Sequence, residues 1–122
     1  MDNFKEIVYN GLKQDASDLH LTVGLPPVYR IDGELINVGT KPLVDEDIVA
    51  VVRMLANEKQ LDELKTTGEC DFAVTYDGAI RMRCNAFRQQ GHTALALRLL
   101  PMKVPTMEDL GLLAAEPRTA ED

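Results

Sequence analysis

Residues 70–99 read CDFAVTYDGAIRMRCNAFRQQGHTALALRL, and apolar and polar side chains alternate through most of this run. A period of two is the pattern of β-strands that have one buried face. Turn-forming residues interrupt the alternation twice, at Asp77-Gly78 and around Gln89–His92. The segment therefore predicts three consecutive antiparallel strands that form the frame of a sheet.

The length of the first turn decides which side chains share a face. A two-residue loop, Asp77-Gly78, would place Arg81 and Arg83 beside the core residues, and burying their charges there is prohibitively costly. A three-residue loop that ends at Ala79, with glycine in the left-handed conformation, avoids this cost. The predicted core face then holds Phe72, Val74, Tyr76, Ile80, Met82, Cys84, Ala86, Leu95, Leu97 and Leu99. The predicted outer face holds Asp71, Ala73, Thr75, Arg81, Arg83, Asn85, Ala94, Ala96 and Arg98.

Upstream of this segment, the periodicity changes several times between helical and extended. The predicted elements are a helix over 3–14, strands over 19–23, 28–31 and 34–38, and helices over 43–55 and 57–66. Asp2 or Asn3 is expected to cap the first helix and Asn57 the last. Thr106 is expected to cap a brief helical turn, and residues 114–122 to fray. This order predicts an α+β domain with one mostly antiparallel sheet and its helices on one face.

Length, charge and cysteine content exclude several classes of protein. The 122 residues fit one compact domain, and the formal net charge of -7 argues against a general nucleic-acid binder. Without a membrane-length apolar run or a signal sequence, the chain is expected to be cytosolic. The phosphate-loop pattern GxxxxGKS/T does not occur, so we expect no ATP hydrolysis by this chain alone. Cys70 and Cys84 form no CxxC pair and are expected to be buried thiols, with no metal site.

Three arginines on the predicted outer face are the strongest candidate for a functional site. Arg81, Arg83 and Arg98 lie among small alanines, which leave the guanidinium groups accessible. Arginine suits fork-like hydrogen bonding to phosphate or carboxylate and stays charged at any relevant pH. The alternative is a structural role, in which these arginines pair across strands with Asp71, Glu69 or nearby carboxylates.

A second candidate is the run ASDLHL at residues 16–21, which contains Ser17, Asp18 and His20. These residue types occur in hydrolytic sites, but a strand would turn Asp18 and His20 to the same side, and no oxyanion-hole segment is nearby. We therefore expect a helix-to-strand junction in which Asp18 bonds backbone amides. His92 is expected in a surface turn.

Six short motifs, taken in order, carry a resemblance to a known family. They are ASDLHL at 16–21, GLPP at 24–27, RIDGEL at 30–35, CDF at 70–72, RMRCNAF at 81–87 and TMEDLG at 106–111. Together they resemble the amino-terminal domain of type IV pilus retraction ATPases of the PilT type, within the type II and type IV secretion ATPases. The resemblance implies a PAS-like α+β fold over residues 1–112, with 113–122 as a frayed tail or the start of a linker.

The resemblance also implies a function within a larger hexameric motor of twitching motility. It implies that this domain packs on the RecA-like ATPase domains of its own and neighbouring subunits and turns Arg81, Arg83 and Arg98 toward the ATP phosphates. It assigns no catalytic residue, metal or cofactor to this chain, whereas the full-length ATPase would bind ATP and Mg²⁺. The motor would be cytoplasmic and peripheral to the inner membrane, acting indirectly on a membrane platform protein, without nucleic acid or direct membrane insertion.

The alternative function is a stand-alone PAS-like sensor or adaptor that binds a small ligand or a partner protein. The predicted core positions are apolar, and no His or Cys is placed to attach haem or flavin, which argues against this alternative. A coloured or ligand-retaining purified protein would support it.

Overall fold

The structure is a computed structural model and describes residues 3–101. Its helices are α1 (Phe4–Lys13), α2 (Asp45–Leu55) and α3 (Glu58–Thr67). Its strands are β1 (Ala16–Leu21), β2 (Val28–Ile31), β3 (Glu34–Asn37), β4 (Glu69–Tyr76), β5 (Ile80–Gln89) and β6 (His92–Pro101). The predicted turn at Thr106, the tail over 113–122 and the domain boundary at residue 112 lie outside the described residues.

All six strands form one sheet in the order β3-β2-β1-β6-β5-β4. Every neighbouring pair is antiparallel. The sheet therefore consists of two three-stranded meanders that meet along β1 and β6. The apolar sides of the three helices and one face of the sheet form a single buried cluster. These features confirm the predicted α+β class.

The β4–β5 hairpin has the predicted register. Tyr76 pairs with Ile80, which leaves residues 77–79 as the loop, and Ala73 pairs with Arg83. Asp77 and Gly78 both have positive φ, 56° and 68°, and this backbone matches the right-handed twist of the flanking strands. Phe72, Ile80 and other core-face residues are buried, whereas Arg81 and Arg83 are exposed. The cost of burying charge thus identified the correct loop length.

Helix α3 begins as its sequence predicts. The Asn57 side chain accepts a hydrogen bond from the Gln60 amide at 2.8 Å, and the Gln60 side chain accepts one from the Asn57 amide at 2.9 Å. This reciprocal pair satisfies two amides that have no partner inside the helix. Of the two caps predicted for α1, Asn3 is wrong, because its side chain makes no capping hydrogen bond, and Asp2 lies outside the described residues.

Two elements begin two or more residues away from their predicted starts. Helix α2 begins at Asp45, not at residue 43, because the Leu43 backbone bonds to the 23–25 segment, donating to the Leu25 carbonyl at 2.8 Å. Strand β1 begins at Ala16, not at residue 19, because Ala16 pairs with Ile31 and a bulge before Asp18 absorbs the extra residue.

Helix α1 packs on the sheet through Tyr29 of β2. The tyrosine ring is buried, and its hydroxyl donates a hydrogen bond to the Ile7 carbonyl. Gly11 lies one turn further along α1, and a Cβ atom at that position would be 2.9 Å from Cε1 of Tyr29. Because Gly11 has no side chain, α1 can lie directly against this ring.

The two cysteines are buried free thiols, as predicted. They lie on the core faces of β4 and β5. Burial raises the pKa of the Cys84 thiol to about 12, so it stays protonated at neutral pH. Both residues act here as small apolar side chains.

Candidate functional site

The outer face of the sheet, opposite the buried cluster, holds the predicted arginines. One line of registered residues crosses all six strands of this face. We call it the arginine row, and it contains, from β3 to β4, Leu35, Arg30, Asp18, Arg98, Arg83 and Ala73. The row therefore brings together residues from both meanders.

Arg83 and Arg98 are direct cross-strand partners in this row. Both are exposed, and like charges directly opposite each other on a sheet destabilise it. Arg81 lies further along β5, between Leu100 and Thr75. Neither Arg81 nor Arg83 forms an ion pair with any residue between 3 and 101. The structure thus places all three predicted arginines on one accessible face.

Arg98 does have a carboxylate partner. Its Nε atom lies 3.5 Å from Oδ2 of Asp18, and the side chains are 62% and 13% exposed. The other Asp18 oxygen accepts a hydrogen bond from the Ser17 hydroxyl at 2.6 Å. The prediction that Asp18 bonds backbone amides is therefore wrong, because the strand already begins at Ala16 and turns Asp18 toward Arg98.

Two further carboxylates on the outer face bind an amide instead of an arginine. Nδ2 of Asn85 donates to Asp71 at 2.6 Å and to Glu69 at 3.2 Å. Asp71 is the direct partner of Asn85, whereas Arg83 faces Ala73. Neither Asp71 nor Glu69 therefore neutralises Arg83, and the structural alternative of cross-strand pairing with a nearby carboxylate holds only for Arg98, which pairs with Asp18. The carboxylates form a separate acidic corner beside the arginine row.

A shallow depression of about 180 Å³ lies between this acidic corner and the arginine row. Its lining is mixed in charge, which distinguishes it from the apolar core. The lining residues are Asp18, Asp71, Arg83, Cys84, Asn85, Ala96, Leu97 and Arg98.

Arg30 is the member of the arginine row that sequence reasoning missed. It is half-buried and lies across from Asp18 on β2. The signal was present, because Tyr29 belongs to the core and strand alternation then turns Arg30 to the outer face. Its place in the same row as Arg98, with Asp18 between them, depends on the pairing of β1 with both β2 and β6, which periodicity alone does not give.

The hydrolytic candidate is not assembled. The Ser17 hydroxyl bonds to Asp18, and no hydrogen bond joins it to His20. His20 shares the outer face with Asp18, as predicted, and its buried Nε2 atom has no hydrogen-bond partner within residues 3–101. His92 is exposed, as predicted, at the start of β6, with its Nδ1 atom 4.0 Å from Asp45.

The described part of the chain offers neither a cluster of metal ligands nor a membrane-spanning helix. Residues 3–101 contain no group of three His, Cys, Asp or Glu side chains that could hold a metal ion. None of the three helices in this range has the length and apolar character needed to cross a membrane.

Comparison with known proteins gives close matches. The chain is 38% identical over 107 residues to the type IV pilus retraction ATPase PilT of Pseudomonas aeruginosa, covering 88% of this chain and 31% of that protein. A crystal structure of the pilus retraction motor PilT with bound ADP superposes with a TM-score of 0.74 at 38% identity, over 89% of this chain and 32% of that one.

A more distant structure shares the fold. The Legionella pneumophila ATPase DotB superposes with a TM-score of 0.68 at 18% identity, over 88% of this chain and 31% of that one. No protein-family model matches the chain. The chain spans about a third of the length of these relatives. By sequence and by fold, the chain matches the amino-terminal domain of the pilus retraction ATPase PilT.

Proposed function

We propose that this chain is the amino-terminal interaction domain of a hexameric ATPase that drives pilus retraction. Its outer face turns toward the RecA-like ATPase domain of a neighbouring subunit, where Arg81, Arg83 and Arg98 approach the phosphates of ATP. The ATPase domains bind ATP and Mg²⁺, and this domain supplies positive charge in trans. The motor works in the cytoplasm beside the inner membrane and acts on the membrane platform protein indirectly.

The direct opposition of Arg83 and Arg98 is the observation that carries this proposal. Two exposed arginines at directly paired strand positions repel each other, although Asp18 offsets part of the Arg98 charge. A phosphate between them would replace that repulsion with charge-assisted hydrogen bonds. The chain as a whole is acidic, with a net charge of -7, so the arginine row is a local exception. Such a pair suits the charge that develops on a transferring phosphoryl group.

The alternative of a small-molecule sensor has no comparable support. The inner face of the sheet is filled by apolar side chains from the three helices. No observation within residues 3–101 favours a ligand inside the fold.

A chimera tests the proposal directly. This chain replaces the matching amino-terminal segment of the Pseudomonas PilT ATPase, and ATP turnover and oligomeric state are measured. Arg81→Ala, Arg83→Ala and Arg98→Ala are then introduced singly. We expect each to lower kcat by about tenfold or more, because an arginine that stabilises phosphoryl transfer contributes at least that much. The hexamer should persist in every variant.

Arg53→Ala is the matched control, since Arg53 is exposed on α2, away from the outer face. It should leave kcat unchanged. Unchanged turnover in all three outer-face variants would refute the arginine role. A chimera that folds but does not form hexamers would refute the packing role. Sequencing downstream of codon 122 for GxxxxGKS/T tests whether an ATPase domain follows in the same gene.

A further inference from the structure

We infer that Asp18 is a positioning residue for Arg98: it fixes the arginine through Nε and leaves the two terminal amino groups free for a phosphate. This inference rests on the proposed function, because it specifies how one of the proposed phosphate ligands is held. It assigns a role to the ASDLHL segment.

Asp18 contacts Arg98 at Nε and not at the terminal amino groups. The 3.5 Å approach joins Oδ2 of Asp18 to Nε of Arg98, the nitrogen nearest the side-chain stem. A guanidinium group carries five N–H donors, and the other four lie on Nη1 and Nη2. A carboxylate on Nε therefore restricts rotation of the group without occupying its terminal fork. The 62% exposure of Arg98 leaves that fork accessible from the outer face.

Asp18 is itself firmly held. Its side chain is 13% exposed, and Oδ1 accepts the Ser17 hydroxyl at 2.6 Å. Its backbone lies in β1, one of the two central strands, and pairs with Arg30 on one side and Arg98 on the other. A carboxylate fixed by both a hydrogen bond and the sheet can orient a long, flexible side chain that would otherwise sample many rotamers.

The arginines of the arginine row differ in whether they pair with Asp18. Asp18 lies between Arg30 and Arg98, yet within residues 3–101 its only ion pair is with Arg98. Arg83, directly opposite Arg98, has no ion pair in the same range. One arginine of the opposed pair is thus oriented by the fold, and the other is left to adjust to its ligand. This division predicts that Asp18 acts on turnover only through Arg98.

A double-mutant cycle in the chimera tests this inference. Asp18→Asn preserves the shape of the side chain and removes the charge that holds Nε. We expect kcat to fall roughly tenfold with KM for ATP within about twofold, because a misplaced group costs rate more than ground-state binding. In the Arg98→Ala background the same substitution should change kcat by less than about twofold, since its target is gone.

Two variants guard against an effect on folding. Ser17→Ala removes the hydroxyl that holds Oδ1 at an exposed position, and it should lower kcat by about threefold through the same route. Asp62→Asn is the matched control, because it makes the same change of charge at an exposed position on α3, which packs on the opposite face of the sheet. It should leave kcat unchanged. Thermal unfolding of each variant reports whether the domain remains folded.

The outcomes separate the inference from the proposal on which it rests. If Arg98→Ala leaves kcat unchanged, the phosphate role of Arg98 is wrong. If Arg98→Ala lowers kcat but Asp18→Asn and Ser17→Ala do not, only the positioning role is wrong. If Asp18→Asn lowers kcat equally with and without Arg98, Asp18 acts through general structure, and the inference is also overturned.

Discussion

Replacing Gly11 with alanine should have two opposite effects on stability, a gain in helix propensity and a loss of packing against Tyr29. Gly11 lies inside α1 and is buried. An alanine in an exposed helix interior would be about 1 kcal/mol more favourable than glycine. Here the added Cβ would lie 2.9 Å from Cε1 of Tyr29, well inside the 3.5–4.0 Å at which carbon atoms attract each other. The substitution therefore introduces a clash.

The surroundings determine the size of the penalty. Tyr29 is 2% exposed, and its hydroxyl donates to the Ile7 carbonyl on the same helix, so the ring is held at its far end. Overpacking costs about 1–3 kcal/mol, and weakening this buried hydrogen bond adds about 1 kcal/mol. After subtracting the gain in propensity, we expect Gly11→Ala to destabilise the domain by about 2 kcal/mol. That corresponds to roughly 10 °C in Tm for a domain of this size.

Urea unfolding followed by circular dichroism measures this change. Asn10→Ala, at the exposed neighbouring position, is the control and should be neutral or slightly stabilising. In a Tyr29→Leu background, which removes the ring, Gly11→Ala should become stabilising by up to about 1 kcal/mol. A stabilised Gly11→Ala single variant, or the same effect in both backgrounds, would refute the packing argument.

Three further predictions concern the helices and the core. The hydrogen bond to Asp77 raises the pKa of Tyr9 to about 12. The stability that this bond contributes is therefore complete below pH 10 and is lost as the pH rises toward 12. The free energy of unfolding of Tyr9→Phe should fall less steeply over that range than that of the unmodified domain, measured by alkaline titrations followed by circular dichroism. Asn57→Ala removes the cap shared with Gln60 and should lower the free energy of unfolding by about 1 kcal/mol in urea, whereas an unchanged value would mean that the cap contributes nothing. Leu97→Ala changes a fully buried position and should lower the free energy of unfolding by about 2–5 kcal/mol in the same assay. Arg98→Ala, at the neighbouring exposed position, should lower it by less than about 1 kcal/mol. Equal losses would contradict the assignment of the two residues to opposite faces.

Much of the fold could be predicted because local rules agreed with the tertiary structure. Strand alternation and the cost of burying Arg81 and Arg83 gave the β4–β5 register. The cap at Asn57 is a short-range motif that tertiary contacts leave intact. The start of α2 was predicted two residues too early, because a backbone bridge between residues 23 and 43 overrides the helical pattern.

The site was only partly predictable. Alternation, together with the cost of burying charge, placed Arg81, Arg83 and Arg98 on one face. The opposition of Arg83 and Arg98 depends on the register of β5 with β6. The contact between Asp18 and Arg98 depends on a pairing between strands far apart in sequence. Periodicity describes each strand by itself, so it contains no information about which strands become neighbours.

The junction of the two meanders has a consequence for how the chain folds. Each meander consists of neighbouring hairpins, which form rapidly because their loops are short. The β1–β6 junction pairs residues 18–21 with residues 95–98, so it requires closure of most of the chain and is expected to form late. A chain cut between β3 and α2 would leave each meander intact on its own fragment. Two such fragments, mixed in solution, should recombine along this junction into the complete sheet.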